Sequence, residues 1–137
     1  MDDFLDNWKV YLSQNDIEYI KTFVYNINHN IKNEKSCLVL QGFNKTGKMT
    51  LLNNIRANIN INTQTCEYYT IEQMLCIKTT IFNFNIRYMC RILSSSKIKS
   101  LILHNDICII TLIPGQYIFD KDTTKHIHII HLIHQFS

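Results

Sequence analysis

The chain has 137 residues, of which 46% are hydrophobic and 18% charged, with a formal net charge of +3. That length bounds it to one domain around one core, and the balance of residues excludes an intrinsically disordered chain. The charge permits contact with nucleic acid without demanding it, because the basic residues are dispersed and never run together. Isoleucine, asparagine and lysine are abundant, a usage that fits drift under an AT-rich coding bias. Cys37, Cys66, Cys76, Cys90 and Cys108 are odd in number and form no CxxC pair, so buried free thiols in a reducing compartment are expected. The amino terminus opens on Asp2 and Asp3, unlike a signal peptide, and no apolar run reaches the roughly 18 residues that span a bilayer. The expectation is an intracellular, soluble protein with no membrane partner.

In chain order, Phe4, Leu5, Trp8 and Leu12 stand at helical spacing over residues 3–13. Asn15, three before Glu18, is a capping-box-like start. Ile17, Ile20, Val24, Ile27 and Ile31 then follow at three- and four-residue steps, predicting an amphipathic helix closed by the polar stretch 28–35. Residues 36–41 (SCLVLQ) have the pattern of a buried parallel strand. Residues 42–48 form a loop, and 50–59 a helix with Leu51, Leu52, Ile55 and Ile59 on its core side. Strands are predicted over 65–70 and 74–82, and a helix over 84–93 with Phe84, Tyr88 and Ile92 on one side. A serine loop at 94–96 precedes strands at 101–104 and 108–113. Pro114 and Gly115 turn the chain into a last strand at 126–133. Helices alternating with strands predict one α/β domain over 1–137, with 1–35 as a helical lead-in.

Residues 42–48 (GFNKTGK) match G-x-x-x-x-G-K, between a strand and a helix as the motif requires. In such a loop the glycines let backbone N–H groups curl around phosphate oxygens. The following helix directs its positive end at them, and the lysine neutralises charge. The candidate nucleotide-contacting residues are Gly42, Asn44, Lys45, Thr46, Gly47, Lys48, Met49 and Thr50. The position after the lysine normally carries the hydroxyl that binds Mg²⁺, and here it is Met49, a poor ligand for a hard cation. Thr50 comes one residue later, about 100° further round the helix.

With these residues in order, the chain resembles the helicase domain of small DNA-virus replication initiators, the superfamily 3 helicases of parvovirus Rep or non-structural initiator type and of papillomavirus initiator type. The resemblance runs from about Trp8 to the carboxyl terminus. Its first part is the apolar strand followed by Thr46-Gly47-Lys48. The second is 100–106 (SLILHND), similar to the strand whose terminal asparagine orients the attacking water, which assigns that role to Asn105. The third is 120–132 (DKDTTKHIHIIHL), similar to the segment whose arginine reaches a neighbouring subunit's ATP, which places Lys125 there. The resemblance implies a shortened AAA+-like P-loop NTPase core, a mostly parallel sheet flanked by helices. It further implies ATP and Mg²⁺ as cofactors, and partners among single-stranded DNA, a homo- or hetero-oligomeric ring and replication proteins. Host nucleus or cytoplasm would be the location of a viral product.

The departures from that pattern are chemical. The apolar strand that should end in two acidic residues has its best counterpart in 74–79 (MLCIKT), with both acids missing; Glu67 and Glu72 are the only carboxylates between the loop and 100–106. Lysine at 125 does not reproduce the bidentate fork of arginine, and 94–99 (SSSKIK) fills the place of the DNA-gripping hairpin. Several such losses predict weak or no ATP hydrolysis. The expected function is therefore a degenerate helicase-like domain that acts through nucleotide or protein binding. An active helicase subunit, with Thr50 on the magnesium ion, and an unrelated P-loop kinase or switch are the alternatives. Outside the loop, His126 and His128 share a strand face and would hold zinc only with a third ligand; solvated histidines on an edge strand are the simpler expectation, and no metal site is assigned. Phe82, Phe84 and Tyr88 suit a base-stacking platform or a core, and Lys97 and Lys99 a phosphate contact or a solvated loop.

Overall fold

The structure, a computed structural model, describes residues 4–29, 31, 37–43, 45–59, 67–71, 74–78, 83–87, 95–104, 107–115 and 117–134. A 3₁₀ turn at Asp6–Trp8 leads into α1 (Gln14–Asn28), β1 (Cys37–Gly42) and α2 (Lys48–Ala57). Strands β2 (Glu67–Ile71), β3 (Met74–Lys78) and β4 (Asn83–Arg87) follow, then α3 (Ser95–His104), β5 (Ile107–Leu112), α4 (Lys121–Thr124) and β6 (Ile127–Leu132).

The apolar runs pair into one six-stranded sheet, ordered β2-β3-β4-β5-β1-β6. Strands β4, β5, β1 and β6 are parallel to one another, whereas β2 and β3 are joined to β4 by antiparallel pairings. Strands β1 and β5 lie inside the sheet and are apolar on both faces, as buried parallel strands must be. Alternation sorts their side chains. Leu38, Leu40, Ile107 and Ile109 meet Ile17, Ile20, Phe23 and Ile27 of α1, Leu51, Leu52 and Ile55 of α2, and Leu5, Trp8 and Leu12 of the lead-in. Cys37, Val39, Cys108, Ile110 and Leu112 meet Ile98 and Ile102 of α3 on the other face. The domain is thus α/β, with helices on both faces. Cys37 and Cys108 are register partners and buried free thiols; burial, followed by a hydrogen bond to Cys108, pushes the Cys37 thiol well above its ordinary pKa. Cys66 and Cys90 lie outside the described residues. No helix among the described residues is long and apolar enough to cross a membrane.

Several local expectations are overturned by pairing and capping. Among the described residues of 3–13 only Asp6–Trp8 is helical, followed by a turn in which the Trp8 carbonyl accepts from the N–H groups of Tyr11 (3.0 Å) and Leu12 (2.9 Å). Leu5, Trp8 and Leu12 are still buried. The cap of α1 is Ser13, in extended conformation with its Oγ accepting from the Asp16 N–H at 3.1 Å, and not Asn15. Ile31, three residues beyond the end of α1, is 47% exposed instead of packed. The helix predicted from 84 begins as a strand, because β4 pairs with β3 on one side and with β5 on the other; residues 88–93 lie outside the description. The strand predicted at 101–104 is the end of α3, whose Ile98 and Ile102 bury four residues apart. Ser95 and Ser96, expected in a loop over 94–96, open that helix.

Asp120 ties α3 to α4. It caps α4, accepting from the Thr123 N–H at 2.9 Å, and its other oxygen accepts from Lys99 Nζ at 3.0 Å. Those bonds, the backbone one first, hold its carboxyl down to about 2 from an ordinary 3.8. A depressed carboxylate contributes stability that is present above pH 3.8 and lost as pH falls towards 2. Asparagine also caps helices, so Asp120→Asn should flatten that acid limb in pH-dependent urea titrations while changing neutral-pH stability little. Ser13→Ala should cost about 1 kcal/mol and Ile109→Ala about 2–5 kcal/mol in the same assay.

Candidate phosphate-binding site

In an open α/β sheet, ligands gather beyond the carboxyl ends of the strands, where neighbouring connections leave in opposite directions. Here that place is the end of β1. The chain leaves β1 through α2 towards β2 at the far edge, whereas it passes from β5 across β1 to β6. Gly42 ends β1 opposite Leu132 of β6, and Gln41 lies opposite Leu112 of β5, so the loop emerges at this switch point.

The loop is held by its own side chains. A Cβ on Gly42 would sit 2.5 Å from Thr46 Oγ1 and 2.8 Å from the Leu132 carbonyl oxygen, so only glycine fits. Thr46 is buried and donates through Oγ1 to the Phe43 carbonyl at 2.6 Å. Lys45 and Gly47 both adopt left-handed backbone, with φ of 65° and 84°. For Lys45 that conformation costs roughly 1–2 kcal/mol, a strain the surrounding loop must hold. Gly47 is the amino cap of α2 and brings no capping side chain, so the first N–H groups of α2 find no acceptor in their own helix and carry its positive end.

Lys48 opens α2 and is only 5% exposed. Its Nζ donates back to the carbonyl of Gly42, closing the loop between strand end and helix start. An ammonium carries three donors, and among the described residues Gly42 takes one.

Beyond Lys48 the helix divides its roles by face. Met49, partly buried, packs against the core to which Leu51, Leu52 and Ile55 belong, so the magnesium position of the motif is occupied by a thioether in apolar contact. Gly47, Thr50 and Asn54 form a stripe at three- and four-residue spacing on the other side. That stripe, Lys45, and Asn7, Trp8 and Tyr11 of the lead-in line a cleft of about 580 Å³. The sequence does not announce this aromatic wall, because spacing places Trp8 on a helical stripe with Phe4, Leu5 and Leu12 and leaves Tyr11 unassigned.

Of the remaining candidates, some fall outside the described residues and one is remote from the loop. Asn44 and Asn105 are outside the described residues, as are Glu72, Phe82 and Tyr88. The elements flanking Asn105 are α3, ending at His104, and β5, beginning at Ile107. Cys108 lies opposite Cys37, the first residue of β1, so β5 starts at the edge of the sheet remote from Gly42. Lys125 is exposed beyond α4, two residues before Ile127, which also pairs with Cys37. At roughly 3.3 Å per strand residue, the loop is about 17 Å away along the sheet. Within one chain the structure does not bring Lys125 to the loop. Strand β3, the counterpart of the acid-bearing strand, runs antiparallel to β4 and so ends at that same remote edge. The strand parallel to β5 is β4, NFNIR, which has no acid.

Two further polar features were missed from sequence. Thr111, one residue before the carboxyl end of β5, is 4% exposed, and its hydroxyl has no hydrogen-bond partner among the described residues. His128, expected on a solvated face, is instead partly buried: its Nε2 lies 2.8 Å from Asp16 Oδ1, and its ring stacks on Tyr19 at 3.9 Å. It ties β6 to α1. Burial, with smaller contributions from Cys37 and Cys108, raises the Tyr19 phenol above its ordinary pKa. No group of three His, Cys, Asp or Glu suited to a metal occurs among the described residues.

No protein-family profile matches the sequence, and neither the search of curated proteins nor that of solved structures returned a match. The geometry of the loop therefore carries the functional argument.

If Gly42 is required by close approach, Gly42→Ala should lower unfolding stability by about 1–3 kcal/mol and displace the loop. Thr46→Val, which keeps volume and removes the bond to Phe43, should cost about 1 kcal/mol without changing the far-UV circular dichroism spectrum. Unaltered stability in Gly42→Ala would show that the loop has slack that the contacts deny.

Proposed function

We propose that this chain is a degenerate P-loop domain of superfamily 3 helicase type that binds nucleotide phosphates and hydrolyses them weakly or not at all. The observation that carries the reading is Lys48, buried at the first position of α2 behind a left-handed glycine, with its ammonium turned onto the end of β1. A buried cation that among the described residues meets a single carbonyl is costly unless an anion or further acceptors compensate it. Phosphate oxygens offer that compensation at the place where the helix already presents positive charge.

The weak hydrolysis follows from what surrounds the loop. Magnesium assists phosphoryl transfer by bridging phosphate oxygens and neutralising developing charge. Met49 faces the core, and β4 brings no carboxylate beside β5. The lineage itself rests on the order of the three resembling segments. From it come the proposed role in viral DNA replication and the proposed partners: replication proteins, single-stranded DNA, or other subunits of a mixed ring in which Lys125 acts on a neighbour. A second reading, an active ATP-dependent helicase subunit, is favoured by one observation: the exposed Thr50 lines the cleft.

Calorimetric titration with ATP, with and without Mg²⁺, separates these readings. Binding should be lost by roughly tenfold or more in Lys48→Ala, the worth of a hydrogen-bonded charge, and should change little with Mg²⁺. Strong Mg²⁺ dependence, abolished in Thr50→Val, would favour the active enzyme. Absence of binding at millimolar ATP would refute phosphate binding by this loop.

A further inference from the structure

The cleft beside the loop is lined by two kinds of group: Lys45 and Gly47, the latter at the positive end of α2, and the aromatic residues Trp8 and Tyr11. Asn7 and Asn54 contribute amides to the same cleft. From this arrangement we propose that the cleft is a nucleobase subsite: the lead-in before α1 holds the base of a nucleotide whose phosphates lie on the loop. The inference rests on the phosphate-binding reading above and extends it to the rest of the ligand.

The chemistry of the lining suits the parts of a nucleotide. Aromatic rings stack on any base, and an asparagine amide presents one donor and one acceptor side group to a base edge. At about 580 Å³ the cleft falls in the size range of small-molecule sites. The aromatic lining is also pre-arranged. Trp8 is 5% exposed and anchored in the core, and it meets Tyr11 edge-on at 6.0 Å. The Tyr11 ring in turn lies 4.8 Å from His134, beyond β6, and keeps 36% of its surface accessible. A ring held by two neighbours loses little freedom when a base stacks on it, which is the condition under which stacking gives affinity. The other exposed apolar groups at this edge, Phe43 and Ile133, are not part of the cleft lining.

Trp8 is the only tryptophan of the chain, so its fluorescence reports on this cleft directly. The full chain is titrated with ATP, with inorganic tripolyphosphate, which has the phosphates and no base, and with adenosine. ATP should bind tighter than tripolyphosphate by roughly five- to hundredfold, the range for one stacked base, and only the base-bearing ligands should change Trp8 emission. Tyr11→Ala and Asn54→Ala should bring ATP down to the affinity of tripolyphosphate, and Tyr11→Phe, which keeps the ring, should restore it. Thermal melts of each variant exclude misfolding as the cause. Equal affinities for ATP and tripolyphosphate in the wild type, both dependent on Lys48, would overturn the subsite and leave the phosphate reading standing. Binding of neither ligand would overturn both.

Discussion

Gly42 has to be close to β6, and much of the structure follows from that. With no side chain, the last residue of β1 packs within van der Waals reach of Leu132 while Thr46 folds over it. The loop is thereby pinned to the sheet at the one point where chain connections diverge to either side. Pinning fixes where α2 begins, and the start of α2 fixes Lys48, Met49 and Thr50 to three different environments: the loop interior, the core and the cleft. A loop that hung free of β6 would give none of them a defined role. The two-faced burial of β1 supplies the rigidity behind this contact, since Leu38 and Leu40 are gripped by α1 and α2 while Cys37 and Val39 are gripped by α3.

On the proposed reading, the same geometry accounts for a site that binds phosphate with impaired chemistry. Phosphate capture needs backbone N–H groups, a helix end and a cation, all supplied by one short stretch of chain. Hydrolysis needs groups from other strands, and those are the parts that depart. β4 runs in the direction an acid-bearing strand would, yet it presents asparagines and an arginine. Lys125 lies at the opposite edge of the sheet from the loop, just before β6 begins beside Cys37. The lead-in adds what the loop lacks, the aromatic residues Trp8 and Tyr11.

How much of this was legible in the sequence depended on the range of the interactions involved. β1, the loop, α2 and β5 were readable because their signals are local: unbroken apolar runs, a glycine–lysine spacing and an i, i+3, i+4 pattern. β4 was misread as helix because Phe84 and Tyr88 also fit a helical stripe; its period-two sequence, NFNIR, carried the opposing signal, and pairing with β3 and β5 decided the matter. The end of α3 was misread as a strand for the converse reason, its Leu-Ile-Leu run outweighing the four-residue step from Ile98 to Ile102. The contact of His128 with Asp16 joins residues 112 apart, and the meeting of Tyr11 with the loop depends on how the lead-in lies over α2. No window on the sequence contains either.

The central claim is that the amino end of α2 and its loop form a working phosphate site. Backbone amide shifts under nucleotide titration test it most directly, because the N–H groups themselves are the proposed ligands. Saturable shifts centred on Gly47, Lys48, Met49 and Thr50, and absent in Lys48→Ala, are the predicted result. Shifts spread elsewhere on the surface, or none at those four amides, would contradict the account.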